Sequence, residues 1–211
     1  MADTPARTSG RRMTLIARLK IVLRDIEPKV MRRIEVPLSI NLDRLHTVIQ
    51  IAMGWTDTHL YEFRFAGDAA FGIPDPDYLS SMNDARKTTL LSAIDDCGGK
   101  TFRYIYDFGD NWDHAVTVER IEARVPGFPY PSLLAATGRC PPEDVGGSPG
   151  YAEYLEALAD PDHPEHEDML EWGGDFDPDK IDIADIAIRL TDIGLAWERK
   201  PHRKAHATPK S

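Results

Sequence analysis

The stretch from Thr101 to Ile121 constrains the fold more than any other part of the chain. Phe102, Tyr104 and Tyr106 alternate with Arg103, Ile105 and Asp107, and after Gly109-Asp110-Asn111 the pattern resumes with Trp112, His114, Val116 and Val118. Period-two alternation on both sides of a glycine-containing turn predicts a β-hairpin with one apolar face. A one-residue slip would send every ring to the wrong side. A three-residue loop, Gly109-Asp110-Asn111, opposes Phe108 to Trp112, Tyr106 to His114, Tyr104 to Val116 and Phe102 to Val118. It gathers the aromatic residues on one face and uses Asn111 where left-handed backbone is needed.

Other elements follow from similar patterns. Leu15–Asp25 reads as an apolar strand, broken at Glu27-Pro28-Lys29, and Val30–Val36 as its alternating partner, ended by Pro37. Leu42, Leu45, Val48, Ile49 and Ala52 share one face of a helix over Leu42–Met53, with Ser39 or Asn41 as cap and Gly54 just past its end. Leu60–Phe65 is a strand with Tyr61, Phe63 and Phe65 on one face; Ala66–Asp77 is turn-rich, and Leu90–Ile94 is a short helical turn. After Pro126 strand signals fade. Helices are expected over Pro149–Ala159 with Ser148 as cap, over Pro164–Trp172, and over Ile183–Asp192 with Asp182 as cap. Residues 1–12 read as a disordered leader, 13–195 as one domain and 196–211 as a disordered basic tail.

Charge narrows the function classes. The net charge is −10, and Glu143–Asp185 holds fifteen acids against the single cation Lys180. Such a surface disfavours nucleic acid and anionic membranes as partners of the domain, leaving the basic tails as the one segment suited to nucleic acid. No apolar run approaches the ~20 residues that span a bilayer, and the two cysteines exclude a disulfide-dense secreted scaffold. The expectation is a soluble cytoplasmic protein.

Four ordered segments carry a resemblance. They are Leu45–Trp55, His59–Phe63, Tyr106–His114 with its Asp-Phe-Gly-Asp-Asn-Trp-Asp-His run, and Cys140–Gly147 followed by Gly150-Tyr151. Together they resemble the plasmid pRiA4b ORF-3-like family over about Met13 to Leu195. The resemblance implies an α+β fold, with an antiparallel or mixed sheet, helices packed on one side and a helical C-terminal part. It also implies plasmids or other mobile elements as a setting. It brings no catalytic residues. Some members are labelled TnpR-type resolvases, but this chain shows neither the serine with its arginines nor the Arg/His-rich pocket around a tyrosine that recombinases need.

The motif residues define a candidate surface of Trp55, His59, Tyr106, Asp107, Asp110, Trp112, His114, Cys140, Glu143 and Asp144. In the expected register Asp107 faces Asp113, and two opposed carboxylates need either a cation or an arginine such as Arg103 or Arg64 between them. The loop Cys140–Gly147 leads into a helix and serves either as a rigid linker or as a ligand site. Cys97 and Cys140 lack zinc-ligand spacing, and Cys140 reads as a packed thiol. His163 and His166 read as residues of an exposed acidic helix, and His46 as structural. The leading expectation is a non-catalytic interaction or accessory module with a protein partner and no cofactor. One alternative is a metal-assisted hydrolase in which a divalent metal is held by Asp107, Asp110, His114 and Glu143, with Asp144 beside them. The other is weak nucleic-acid binding through the tails.

Overall fold

The computed structural model describes residues 14–74 and 82–199. The expected leader at 1–12 lies outside them. So does most of the expected tail, although residues 196–199 belong to a helix rather than to a tail.

One sheet organises the molecule. Its strands are β1 (Leu15–Leu23), β2 (Met31–Pro37), β3 (Tyr61–Arg64), β4 (Ala70–Gly72), β5 (Asn83–Asp84), β6 (Thr101–Tyr106), β7 (Trp112–Ala123) and β8 (Ser132–Thr137). They lie in the order β5-β4-β3-β6-β7-β1-β2-β8. All neighbours are antiparallel except the short β4–β5 pair, so the sheet is mixed. Five helices accompany it among the described residues: α1 (Leu42–Met53), α2 (Leu90–Cys97), α3 (Gly147–Ala159), α4 (His166–Gly173) and α5 (Ile183–Arg199). The class is α+β.

The two faces of the sheet differ as its alternation requires. Leu19, Ile21, Ile34, Val36, Phe63, Phe102, Tyr104 and Val116 are buried on one face, in the same core as Leu45, Val48, Ile49 and Ala52 of α1. The opposite face carries charge pairs across the strands: Arg18–Glu35 at 2.7 Å, Arg33–Glu119 at 2.8 Å and Arg103–Asp113 at 2.7 Å. Such a wet, paired face keeps an antiparallel sheet from needing a second apolar cover.

The hairpin keeps its predicted faces but not its predicted register. Tyr106 pairs with Trp112, Tyr104 with His114 and Phe102 with Val116. The connection is therefore the five residues Asp107–Asn111, and the partners move by two positions, which preserves the sidedness. The cause is local: Asp107 and Asn111 both take left-handed backbone (φ 56° and 55°), and Asn111 N–H donates to the Asp107 carbonyl at 2.6 Å. Asp113 consequently faces Ile105, not Asp107, and its carboxylate is met by Arg24 and Arg103, both at 2.7 Å.

Three further expectations change. Strands β4 and β5 form in or beside the turn-rich segment. Strand β8 adds to the free edge of β2 where strand signals had faded. Helix α3 starts at Gly147, after Gly146 at φ 92°, rather than at Pro149 behind a Ser148 cap.

Arg32, on the inner face of β2, is buried and joins the end of α1 to the sheet edge. Its Nε donates to Ala52 O at 2.6 Å, one terminal nitrogen donates to Met31 O and Thr137 O at 2.9 and 2.8 Å, and the other reaches Cys140 Sγ at 3.5 Å. Arg32→Met would keep the packing volume but leave these carbonyls without that donor. It is expected to lower unfolding free energy by about 2–4 kcal/mol in urea titration. A loss under about 0.5 kcal/mol, the level of an ordinary surface change, would contradict this role.

Candidate functional site

Three loops meet at the end of the sheet where β3 begins, β6 gives way to β7 and β8 ends. They are residues 54–60 between α1 and β3, 107–111 between β6 and β7, and 138–146 between β8 and α3. The segments that carry the resemblance thus converge.

Glu143 ties them together. Its carboxylate accepts from Thr56 N–H at 2.9 Å, from the Thr56 hydroxyl, from the Thr58 hydroxyl at 3.4 Å and from the Tyr106 hydroxyl at 2.6 Å. Burial works to raise its pKa, but the hydrogen bonds from Thr56, Tyr106 and Thr58 outweigh burial and hold the carboxyl below its ordinary value. The other end of the loop is fixed by glycine. Gly146 N–H donates to Asp110 Oδ2 at 3.2 Å, and at Gly147 (φ 68°) a Cβ would stand 2.5 Å from the Asp110 carbonyl oxygen. Only a residue without a side chain brings the two loops so close.

The structure divides the ten expected surface residues. Trp55, Tyr106, Asp107, Trp112, His114 and Cys140 are buried, so most of the expected surface is interior. Trp55 packs on Tyr106 at 5.1 Å and on Trp112 at 5.9 Å, and its indole N–H donates to Pro141 O at 3.0 Å. Burial pushes the His114 imidazole down to about 4, and its Nδ1 lies 3.0 Å from the Tyr104 and Trp112 carbonyl oxygens. Burial pushes the Cys140 thiol up to about 11, which removes it as a nucleophile at neutral pH. Asp110 and Glu143 are engaged as described. The expected metal set of Asp107, Asp110, His114 and Glu143 therefore does not assemble.

His46 and Asp57 resemble a base with its orienting acid, but they close a structural ring. Asp57 N–H donates to Gln50 Oε1 at 3.1 Å, and Gln50 Nε2 donates to the Tyr104 hydroxyl at 2.9 Å. Tyr104 in turn meets His46 Nδ1 at 2.7 Å, and His46 Nε2 meets Asp57 Oδ1 at 2.5 Å. The consistent assignment has Tyr104 donating to Nδ1 and Nε2–H donating to Asp57. Burial lowers the His46 pKa against the pull of Asp57. Both ring nitrogens are occupied, so this imidazole has no free lone pair for a substrate. Its ring stacks on Tyr61 at 3.6 Å.

Beside this ring opens a recess of about 670 Å³, lined by Asp43, His46, Thr47, Asp57, His59, Leu60, Tyr61, Ile73, Met82 and Phe108. Its rim holds apolar side chains that folding has left in water: Leu60 is 66% exposed, Phe108 50% and Ile73 41%. His59, which lines the recess, also lies beside Asp107 and Asp144. His59 Nδ1 lies 3.7 Å from Asp107 Oδ2, and Nε2 lies 3.1 Å from Asp144 Oδ1. One ligand atom from each of the three falls within 4.8 Å of the others. All three belong to the expected surface; their grouping, across 85 residues of chain, had no local signal. Asp57, which completes the wall, was not anticipated.

A larger cleft of about 810 Å³ lies between the 139–143 loop, residues 173–182 and α5, where Arg139, Lys180 and Arg189 alternate with Asp175, Asp177, Asp182 and Asp185.

The profile of the plasmid pRiA4b ORF-3-like protein matches residues 15–185. An uncharacterized protein, y4hQ, of Sinorhizobium fredii is 50% identical over 191 residues, which is 90% of this chain and 97% of that one. The crystal structure of a protein of unknown function, MM3350 from Methanosarcina mazei Go1, superposes with a TM-score of 0.74 at 36% identity, covering 82% of this chain and 98% of that one.

Two outcomes follow from this geometry. Gly147→Ala places a side chain against the Asp110 carbonyl and in left-handed backbone, and is expected to cost about 1–3 kcal/mol in chemical denaturation; an unchanged midpoint would show that the loops are not in close contact. Because the Glu143 pKa is depressed on folding, its stabilisation is complete above the unfolded value, about 4.3, and fades as pH falls through the lower folded value. Glu143→Gln should therefore lose about 1–2 kcal/mol at pH 7, with a smaller deficit at the lowest pH the fold survives; a deficit that grows on acidification would contradict the assignment.

Proposed function

The chain belongs to the plasmid pRiA4b ORF-3-like family, and from that premise we propose that it is a binding module whose ligand surface is the recess at the loop end of the sheet. The observation that carries this reading is the rim of Leu60, Phe108 and Ile73 exposed around a preformed recess. Apolar side chains gathered at a concavity mark a place where another apolar group is received. The floor is rigid, because His46 and Tyr61 are stacked and His46 is locked in its hydrogen-bonded ring. The groups that would suit covalent chemistry, Cys140 and Tyr106, are buried and engaged. The partner in this reading is a protein that inserts an apolar side chain, in an accessory role on plasmids or other mobile elements.

A metal-assisted hydrolase is the second reading, and the grouping of His59, Asp107 and Asp144 favours it. The acidic described surface does not favour nucleic acid, and the basic segments lie largely outside the described residues.

The test is site-specific photo-crosslinking from position 108, compared with position 188 on α5, in extract of the source cells. A discrete adduct from position 108 alone is expected, competed by excess wild-type chain and competed about tenfold less well by a Leu60→Ser chain, the loss of about 1.4 kcal/mol that a hot-spot contact exceeds. Equal adducts from both positions, or competition unaffected by Leu60→Ser, would refute the reading.

A further inference from the structure

We propose that His59, Asp107 and Asp144 form a divalent-cation site at the mouth of the recess. The inference rests on the recess reading only for what the cation would touch; the site itself stands on its own geometry.

Three observations carry it. One ligand atom from each residue lies within 4.8 Å of the others, near enough that small side-chain rotations would bring all three onto one cation. His59 Nε2 is shielded from water yet has no hydrogen-bond partner, although Asp144 Oδ1 is only 3.1 Å away: the two are at ion-pair distance without hydrogen-bond alignment. A shielded imidazole nitrogen beside a carboxylate oxygen, with no hydrogen bond joining them, is an arrangement a cation would satisfy. The third observation is how each residue is held. Asp107 spends Oδ1 on Gly109 N–H at 2.9 Å and its own N–H on Leu60 O at 2.8 Å, which leaves Oδ2 facing His59. Asp144 is carried in by the loop that Glu143 and Gly147 clamp onto the hairpin.

The donor set names the class of ion. One imidazole nitrogen with two carboxylate oxygens suits Mn²⁺ or Zn²⁺ better than Mg²⁺, which prefers oxygen ligands and its own water. Three protein ligands leave coordination positions open. Asp144 is largely exposed, so these positions are accessible from solvent, and His59 also lines the recess. The bound cation would accept an oxygen donor, such as a carboxylate, from a partner whose apolar group occupies the recess.

Titration calorimetry of the tag-free full-length chain with Mn²⁺ tests this. One saturable site per chain is expected. His59→Gln and Asp144→Asn should each weaken it about tenfold or more, whereas Glu171→Gln, on exposed α4, should leave it unchanged. Asp144→Asn alters an exposed side chain, so its thermal melt without metal should match that of wild type and separate ligand loss from unfolding. Absence of a saturable site, or His59→Gln binding as wild type does, overturns the proposal. Mn²⁺ binding as expected with no selective adduct from position 108 would remove the recess reading and leave the metal site standing. The adduct without Mn²⁺ binding would do the reverse.

Discussion

Glu143 is a carboxylate whose charge is met by hydroxyl and amide donors rather than by a cation. Thr56, Thr58 and Tyr106 supply those donors from parts of the chain 37 to 87 residues away. Closing loops of that length costs conformational entropy, so the contact must be strong enough to hold them; charge-assisted hydrogen bonds to a partly buried carboxylate are about twice as strong as neutral ones. Tyr106, fixed at its hydroxyl by Glu143, is fixed at its ring by Trp55, and Trp55 returns to the same loop through Pro141. The sheet end, the aromatic cluster and the loop before α3 thus form one closed set of contacts.

Much of the chemistry that the motifs advertise is spent on this closure. His46, His114, Cys140, Tyr104 and Tyr106 belong to residue types that act as bases or nucleophiles elsewhere, yet here each is buried. The Tyr106 hydroxyl, pushed up to about 12 by burial and by Glu143, donates its proton rather than releasing it. What stays unengaged lies at the edge: His59, Asp144 and the Oδ2 of the buried Asp107, with the apolar rim beside them. The interior holds the loops in place, and the apolar rim stays exposed.

The sequence revealed periodic elements well and tertiary closure poorly. Helix α1 ends where Leu42, Met53 and Gly54 predicted, because helical spacing and a left-handed terminal glycine are local signals. The sidedness of the β6–β7 hairpin held for the same reason. Its register did not, because it depends on Asp107 and Asn111 sharing left-handed backbone, a choice that either residue type permits and neither dictates. Strand β8, Ser132-Leu133-Leu134-Ala135-Ala136-Thr137, lacks alternation; it is a strand because the edge of β2 offers it hydrogen bonds. The site followed the same rule. Motif residues could be named one by one, but whether Trp55 faces inward and Asp144 outward is decided by packing between segments far apart in the chain.

In the proposed arrangement these three distant segments form one place at which a cation and a partner meet. Paramagnetic broadening of backbone amide signals by substoichiometric Mn²⁺ tests it most directly, because broadening falls steeply with distance from the ion. Signals of residues 59–60, 107–111 and 144–147 are expected to fade together while those of α4 and α5 persist, despite the acids on those helices. Broadening spread along the acidic α4 and α5 surface, with the three loops unaffected, would contradict it.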